Sequence, residues 1–227
     1  MTTTIKPTLE AEVEGLGKIY RVNRPFNEAL ESLNEQKAKI ISSRDLAYAR
    51  TKKPNGSLCN NGSYTREGFL HSKNEPYLLA LDSPLLDLEL ADYFSTDKEV
   101  YNKYREKAEE DKSKSPNGRG VIILSGGENY KIPTNRFNED ELTLFLFKDQ
   151  AENYGNFLKE NGIDKMPVWL VDRNYVDSEE RVILTQLWLH PLDGRSCVYG
   201  DSNDFDCYYG VRGLLKKTNE VMKNKEI

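Results

Sequence analysis

Histidine and tryptophan each occur only twice in 227 residues, and cysteine and methionine three times each. Each scarcity excludes something. His71 and His190 are far apart in the chain, which leaves little for a Ser-His or Cys-His catalytic arrangement. Cys59, Cys197 and Cys207 are too few and too unevenly spaced for a disulfide framework, so the thiols read as reduced and the cytoplasm is the default compartment. No stretch approaches the roughly 18 apolar residues of a membrane span. The opening "MTTTIKPTLEAEVEG" shows no basic segment followed by an apolar one, so neither a signal peptide nor a membrane span is expected. Positive charge is not in excess: 32 Lys and Arg face 37 Asp and Glu, for a net charge of −5. That balance predicts no nucleic-acid partner. The dense run Tyr104–Lys114 mixes both signs and reads as a solvated helix face.

Catalytic and cofactor motifs are also missing. "SGGENY" (125–130) pairs glycines after a strand but lacks the phosphate-binding spacing, and no nucleophile elbow occurs. "DSNDFD" (201–206) resembles a calcium loop only in part, because Phe205, Asp206 and Arg212 stand where the motif needs an oxygen ligand, Gly and Glu. His190, Cys197 and Cys207 match no zinc spacing and lack a fourth ligand. The expectation is therefore no metal, no cofactor and no catalytic residues.

What is present, 37% hydrophobic and 30% charged residues, describes a globular chain with enough apolar material for a core. Residues 1–17 read as extended, Lys18–Asn23 as a strand and the segment after Pro25 as a helix with Phe26, Ala29, Leu30 and Leu33 on one face. A short strand at 39–41 precedes a helix capped by Ser43, and 52–63 reads as loop. Arg66–His71 and Pro76–Leu81 form a hairpin that leaves His71 exposed, and Pro84–Tyr93 and Asp97–Lys112 read as helices. Val121–Leu124 reads as a buried strand, followed by a turn and a short extended piece. Asn138–Glu160 is helical, with Gly155 marking close packing and Asn161-Gly162 ending the run. Met166–Asp172 and Arg181–Leu189 are the strongest strands. The order predicts one α+β domain over 1–227 with a helical N-terminal part.

A local absence is more informative. Between Leu189 and Val211, 23 residues contain no Lys, Glu, Gln, Met or Trp, types that supply fifty of the 227 residues. Composition alone gives such a window a chance of roughly a few per thousand, so the segment has its own alphabet. The five missing types share one property: none has a codon ending in a pyrimidine. Leu187, Trp188, Leu189, Leu192, Val198, Phe205, Val211 and Leu214 look like scaffold at intervals, with short polar residues and tyrosines between them.

The frame "QLWL…LD…S.V.G….D…..VRG" (186–213) resembles the variable region of archaeal proteins diversified by diversity-generating retroelements. "DELTLFLFKDQAENYGNFL" (140–158) also resembles a stretch of those proteins, while residues 1–130 are left unplaced by the resemblance. In that family a template is copied with substitution at adenines, so Asn codons of the AAY type become NNY codons, which never encode the five missing residues. The resemblance implies a C-type lectin-like fold, related to that of formylglycine-generating enzymes, with the variable segment at 186–213. It implies that His190, Gly194, Arg195, Cys197, Tyr199, Ser202, Asn203, Asp204, Asp206, Cys207, Tyr208 and Tyr209 form an exposed ligand surface, with Asp193, Asp201 and Gly210 at its margin. Tyr199, Tyr208 and Tyr209 would be its anchors, because aromatic side chains bury much area at small entropic cost. Arg212, in the closing "VRG", would be structural. The implied function is non-enzymatic binding of an unidentified target, with protein the favoured class. The alternatives are an oxidase of the formylglycine-generating type, using Cys197 and Cys207 on copper, and a structural assembly module.

Overall fold

The computed structural model describes residues 6–87, 95–124, 129–172, 176, 178–192, 197–200 and 210–216. Strands β1 (Thr8–Val13) and β2 (Gly17–Asn23) form a hairpin, followed by helix α1 (Phe26–Glu35), strand β3 (Lys39–Ile40), helix α2 (Ser43–Lys52) and the one-turn α3 (Ser57–Asn60). A second hairpin joins β4 (Ser63–Ser72) to β5 (Tyr77–Ala80); β6 (Ser95–Asp97) leads into α4 (Lys98–Asp111). Next come β7 (Val121–Leu124), β8 (Asn129–Pro133), α5 (Glu141–Phe147) and α6 (Ala151–Glu160). The chain continues through β9 (Lys165–Leu170), β10 (Arg181–Leu189), β11 (Val198–Gly200) and β12 (Gly210–Lys216).

All twelve described strands belong to one sheet, in the order β1-β2-β12-β4-β10-β11-β9-β8, with β3 on β12, β5 on β4, β7 on β5 and β6 on β10. The late strand β12 lies between β2 and β4, antiparallel to β2 over Gly210–Lys216 and parallel to β4 at Val211–Tyr64. Residues before 130 therefore build strands on both sides of the C-terminal one.

The middle of the sheet is buried on both faces, while its end strands are covered on one. Val22, Tyr64, Leu70, Leu78, Leu184 and Val211 pack with Phe26, Leu30 and Leu33 of α1 and Tyr101 of α4. Ile19, Phe69, Leu79, Leu187, Leu189, Val198 and Leu214 pack with α2, α5 and α6. Neighbours along a strand serve opposite cores because successive side chains point to opposite faces. This arrangement accounts for the nearly continuous apolar runs of β5, β7 and β10.

Several expectations change in detail. Ser42, not Ser43, caps α2, its hydroxyl accepting from the Asp45 N–H at 3.1 Å. Ser43 turns inward, where its N–H meets both Glu67 carboxylate oxygens at 3.1 Å and its hydroxyl donates to Oε2 at 2.9 Å. Burial pushes the Glu67 carboxyl up, against the pull of these hydrogen bonds. His71 is buried, because β4 is flanked by β5 and β10. The 52–63 segment contains α3, and Pro84–Leu86 is a single 3-10 turn, with 88–94 outside the described residues. The helical region at 138–160 breaks at Lys148 (φ 53°, ψ −126°), followed by a 3-10 turn. The break lets the apolar faces of α5 and α6 enter the same core, where Phe147 lies 4.9 Å from Tyr154.

Gly155 does mark a close approach: a Cβ there would lie 2.3 Å from the Thr134 carbonyl oxygen and 3.1 Å from Phe137. Backbone cannot yield as a side-chain tip can. Gly155→Ala should therefore lose about 1–3 kcal/mol in urea unfolding, despite the better helix propensity of Ala.

Candidate ligand-binding surface

β10 ends at Leu189 and β12 begins at Gly210; between them the described residues are 190–192 and 197–200, the latter containing β11. At the start of this stretch the His190 N–H donates to the Cys197 carbonyl at 3.0 Å, and the Leu192 N–H donates to the Cys59 carbonyl at 2.7 Å. In β11, Val198 and Tyr199 pair with Leu189 and Trp188 of β10 and with Val168 and Trp169 of β9. Gly200 lies so close to the Phe69 ring that a Cβ would approach within 2.3 Å. The Thr185 hydroxyl donates to the Gly200 carbonyl at 2.9 Å and so accepts from His71 Nε2 at 2.9 Å, which fixes the imidazole with its proton on Nε2.

At the far end, Arg212 is fully buried. Its Nε and Nη2 donate to Glu10 Oε2 and Oε1 at 2.5 and 2.8 Å, a two-point pair with β1. Nη1 donates to the Gly62 carbonyl at 2.7 Å, and Nη2 reaches the Ser57 carbonyl at 3.3 Å. The Glu10 carboxyl feels burial, which would raise its pKa. The Arg212 hydrogen bonds and charge, the Ser57 hydroxyl and the Arg21 charge outweigh that and hold it below the ordinary carboxylate range. A second fully buried arginine, Arg50 of α2, donates to the carbonyls of Leu58 (2.9 Å), Asn61 (3.2 Å) and Leu189 (3.4 Å) and to the Tyr154 hydroxyl (3.0 Å). The 57–62 loop is thus held from two sides, and the last residue of β10 is tied to it.

Of the expected surface residues, three are described. His190 and Tyr199 are half-buried, and Tyr199 projects from the face opposite Val198. Cys197 is buried, contrary to the exposure expected of it, because it abuts β11 and closes the β10–β11 ladder. Gly194, Arg195, Ser202, Asn203, Asp204, Asp206, Cys207, Tyr208 and Tyr209 lie outside the described residues, as do Asp193, Asp201 and Phe205. Gly210 is buried against Arg21. Val198 and Val211 point inward as scaffold, and Leu192 packs against the core from a half-buried position. Among the described residues no cluster of His, Cys, Asp or Glu is placed to hold a metal ion.

The sequence reading missed Trp169. Cross-strand partners place Tyr64, Trp188, Tyr199 and Trp169 in one row over β4, β10, β11 and β9. Exposure rises along the row, from Tyr64 at 3% through half-buried Trp188 and Tyr199 to Trp169 at 41%. The Trp188 ring sits over Gly62, where a Cβ would come within 2.2 Å, and meets Tyr64 edge-on at 4.9 Å. In "KMPVWL" both faces of the strand carry apolar or neutral side chains after the lysine, so no alternation marked Trp169 as outward.

Arg212→Met should cost about 3–5 kcal/mol in urea unfolding, because Glu10 is left buried without its cation. The acid response should change as well. The lowered Glu10 value gives the wild type stability that is present above the ordinary glutamate range and lost as pH falls through that lowered value. Arg212→Met should flatten this dependence, which urea titrations across the acid range would measure.

No family model and no curated protein matches the chain. It is similar to a solved structure described as the accommodation of massive sequence variation in Nanoarchaeota by the C-type lectin fold, with 15% identity, 91% of this chain and 100% of that chain covered, and a TM-score of 0.62. At this identity the likeness is one of fold, and the chain is an α+β protein with the C-type lectin fold.

Proposed function

We propose that this chain is a non-enzymatic binding protein whose target-contacting surface is the segment from His190 to Gly210, diversified by a retroelement. One observation carries the reading. The 23-residue window with its own alphabet is held at both ends and once between them by groups outside it: Leu189 by Arg50, Gly200 by Thr185, and Val211 between β2 and β4. A surface that samples many side chains needs its ends fixed by residues outside the sampled set. The similar solved structure concerns massive sequence variation on the same fold, which supports this use of the segment. The target is a protein in this reading, bound chiefly by Tyr199, Tyr208 and Tyr209, with His190, Arg195, Asn203 and Asp206 orienting it through polar contacts.

Binding of this kind requires no catalytic group and no cofactor. Cys197 supports a non-enzymatic reading: the residue is buried, and its carbonyl accepts from the His190 N–H, whereas a reactive thiol needs access.

Tyr199→Ser/Tyr208→Ser/Tyr209→Ser should leave the melting temperature within a few degrees of wild type, as surface substitutions of about ±0.5 kcal/mol each would. It should remove most binding in a screen against cell-surface and secreted proteins, since anchor tyrosines often contribute about 2 kcal/mol or more apiece. Collapse of the fold would make these tyrosines core residues and overturn the proposal. At the gene level, a near-copy of the 186–213 coding segment, differing mainly at adenines and lying beside a reverse transcriptase, is the expected finding at the locus.

A further inference from the structure

Four neighbouring strands at this end of the sheet, three of which carry the outer members of the aromatic row, contain no acid. β8 (NYKIP), β9 (KMPVWL), β10 (RVILTQLWL) and β11 (VYG) contain no Asp or Glu, in a chain with 37. Average composition would place about four acids in that many residues. The charges that are present fall into a pattern. Asn129 pairs with Trp169, Lys131 with Pro167, and Pro133 with Lys165, so Lys131 and Lys165 share the outward face with Pro167, Trp169 and Tyr199. Lys131, Lys165 and Trp169 are all exposed. The buried partners of this face, Met166, Val168 and Leu170, all point to the opposite side.

An indole exposed to this extent, continued by a second aromatic ring, with Lys131 diagonal to it across the β8–β9 pair and Lys165 further along the same face, differs from a scattered surface apolar residue. Trp and Tyr supply contact area with a polar edge, and the lysines supply a field opposite in sign to that of the chain as a whole. We infer that Trp169, Lys131 and Lys165 form a fixed flank of the binding surface, and that the partner is a polypeptide presenting carboxylates around an aromatic or aliphatic side chain. The inference rests on the binding role of the adjacent segment and specifies the chemistry of what it binds. A nucleic acid fits less well: two lysines cannot match a phosphate at every nucleotide, and the chain's net charge of −5 opposes polyanions. The division of labour is physical. Tyr199 belongs to the sampled segment, whereas Trp169 sits on a framework strand and stays constant while its neighbour changes.

The test selects binders for the intact protein from a phage-displayed random peptide library and measures the resulting synthetic peptides by calorimetry. Selected peptides should be enriched in Asp and Glu flanking an apolar residue, and should bind more weakly at high salt. Trp169→Ser and Lys131→Glu/Lys165→Glu should each raise Kd by about tenfold or more with the melting temperature unchanged. Failure to select any peptide, peptides without acidic enrichment, or affinities that neither variant moves would overturn the inference. So would tight binding of a single-stranded oligonucleotide that Lys131→Glu/Lys165→Glu abolishes. Tyr208→Ser/Tyr209→Ser separates the two claims. Peptides that lose affinity there yet bind Trp169→Ser normally would sink the flank and leave the variable surface standing. Peptides that lose affinity only in Trp169→Ser and Lys131→Glu/Lys165→Glu would support the flank and remove the variable segment from the site.

Discussion

A buried guanidinium joins the end of this chain to its beginning. Arg212 on β12 holds Glu10 on β1 through two hydrogen bonds, and the carbonyls of Ser57, Asn61 and Gly62 take its remaining donors. Taking such a charge out of water costs several kcal/mol, which is recovered only when the counter-charge and the other acceptors are all in place. β1, the 57–62 loop and β12 must therefore assemble together. Once they do, the residue after Val211 can occupy only one position, and the returning end of the His190–Gly210 segment is set by residues distant from it in sequence.

Arg50 works on the same loop from the other side, and both arginines bring donors to the Asn61 carbonyl, at 3.2 and 3.4 Å. Two cations this close repel, and their hydrogen bonds to backbone carbonyls offset that repulsion along with Glu10. The result is a fixed segment carrying Gly62, over which Trp188 lies, and Trp188 carries the aromatic row from Tyr64 out to Tyr199 and Trp169. Scaffold and surface are thus separated by the pleat of the strands. Val198 and Gly200 face Phe69 and the α2–α5–α6 core, while Tyr199 between them faces outward. Substitution at an outward position leaves the inward contacts in place, and a segment can then vary in chemistry at little cost in folding.

Much of this was legible. Strong apolar runs located β7, β9 and β10, the paired runs Arg66–His71 and Pro76–Leu81 located the β4–β5 hairpin, and the local alphabet singled out the segment after Leu189. The errors have specific causes. Ser42 and Ser43 are chemically equivalent cap candidates, and only the buried Glu67 decides which one turns inward. His71 looked exposed because a hairpin in isolation has a wet face, whereas this one lies in the middle of the twelve-stranded sheet, where both faces are covered. Arg212 was singled out as structural by the closing "VRG", but Arg50 is one arginine among twelve, and its burial depends on carbonyls that only the tertiary fold assembles. Trp169 was hidden for the opposite reason, since an outward tryptophan in an apolar run looks the same as an inward one.

The central claim is that the fold is indifferent to what the segment carries. The direct measurement is thermal unfolding of a library in which 202–204 and 206–209 are replaced by random NNY-encoded residues, with Phe205 and everything from Gly210 onward kept. The account predicts that most members unfold cooperatively within a few degrees of the parent, as independent surface substitutions of about ±0.5 kcal/mol would. A library in which most members fail to fold, or melt more than about 10 °C lower, would contradict it and return the segment to the core.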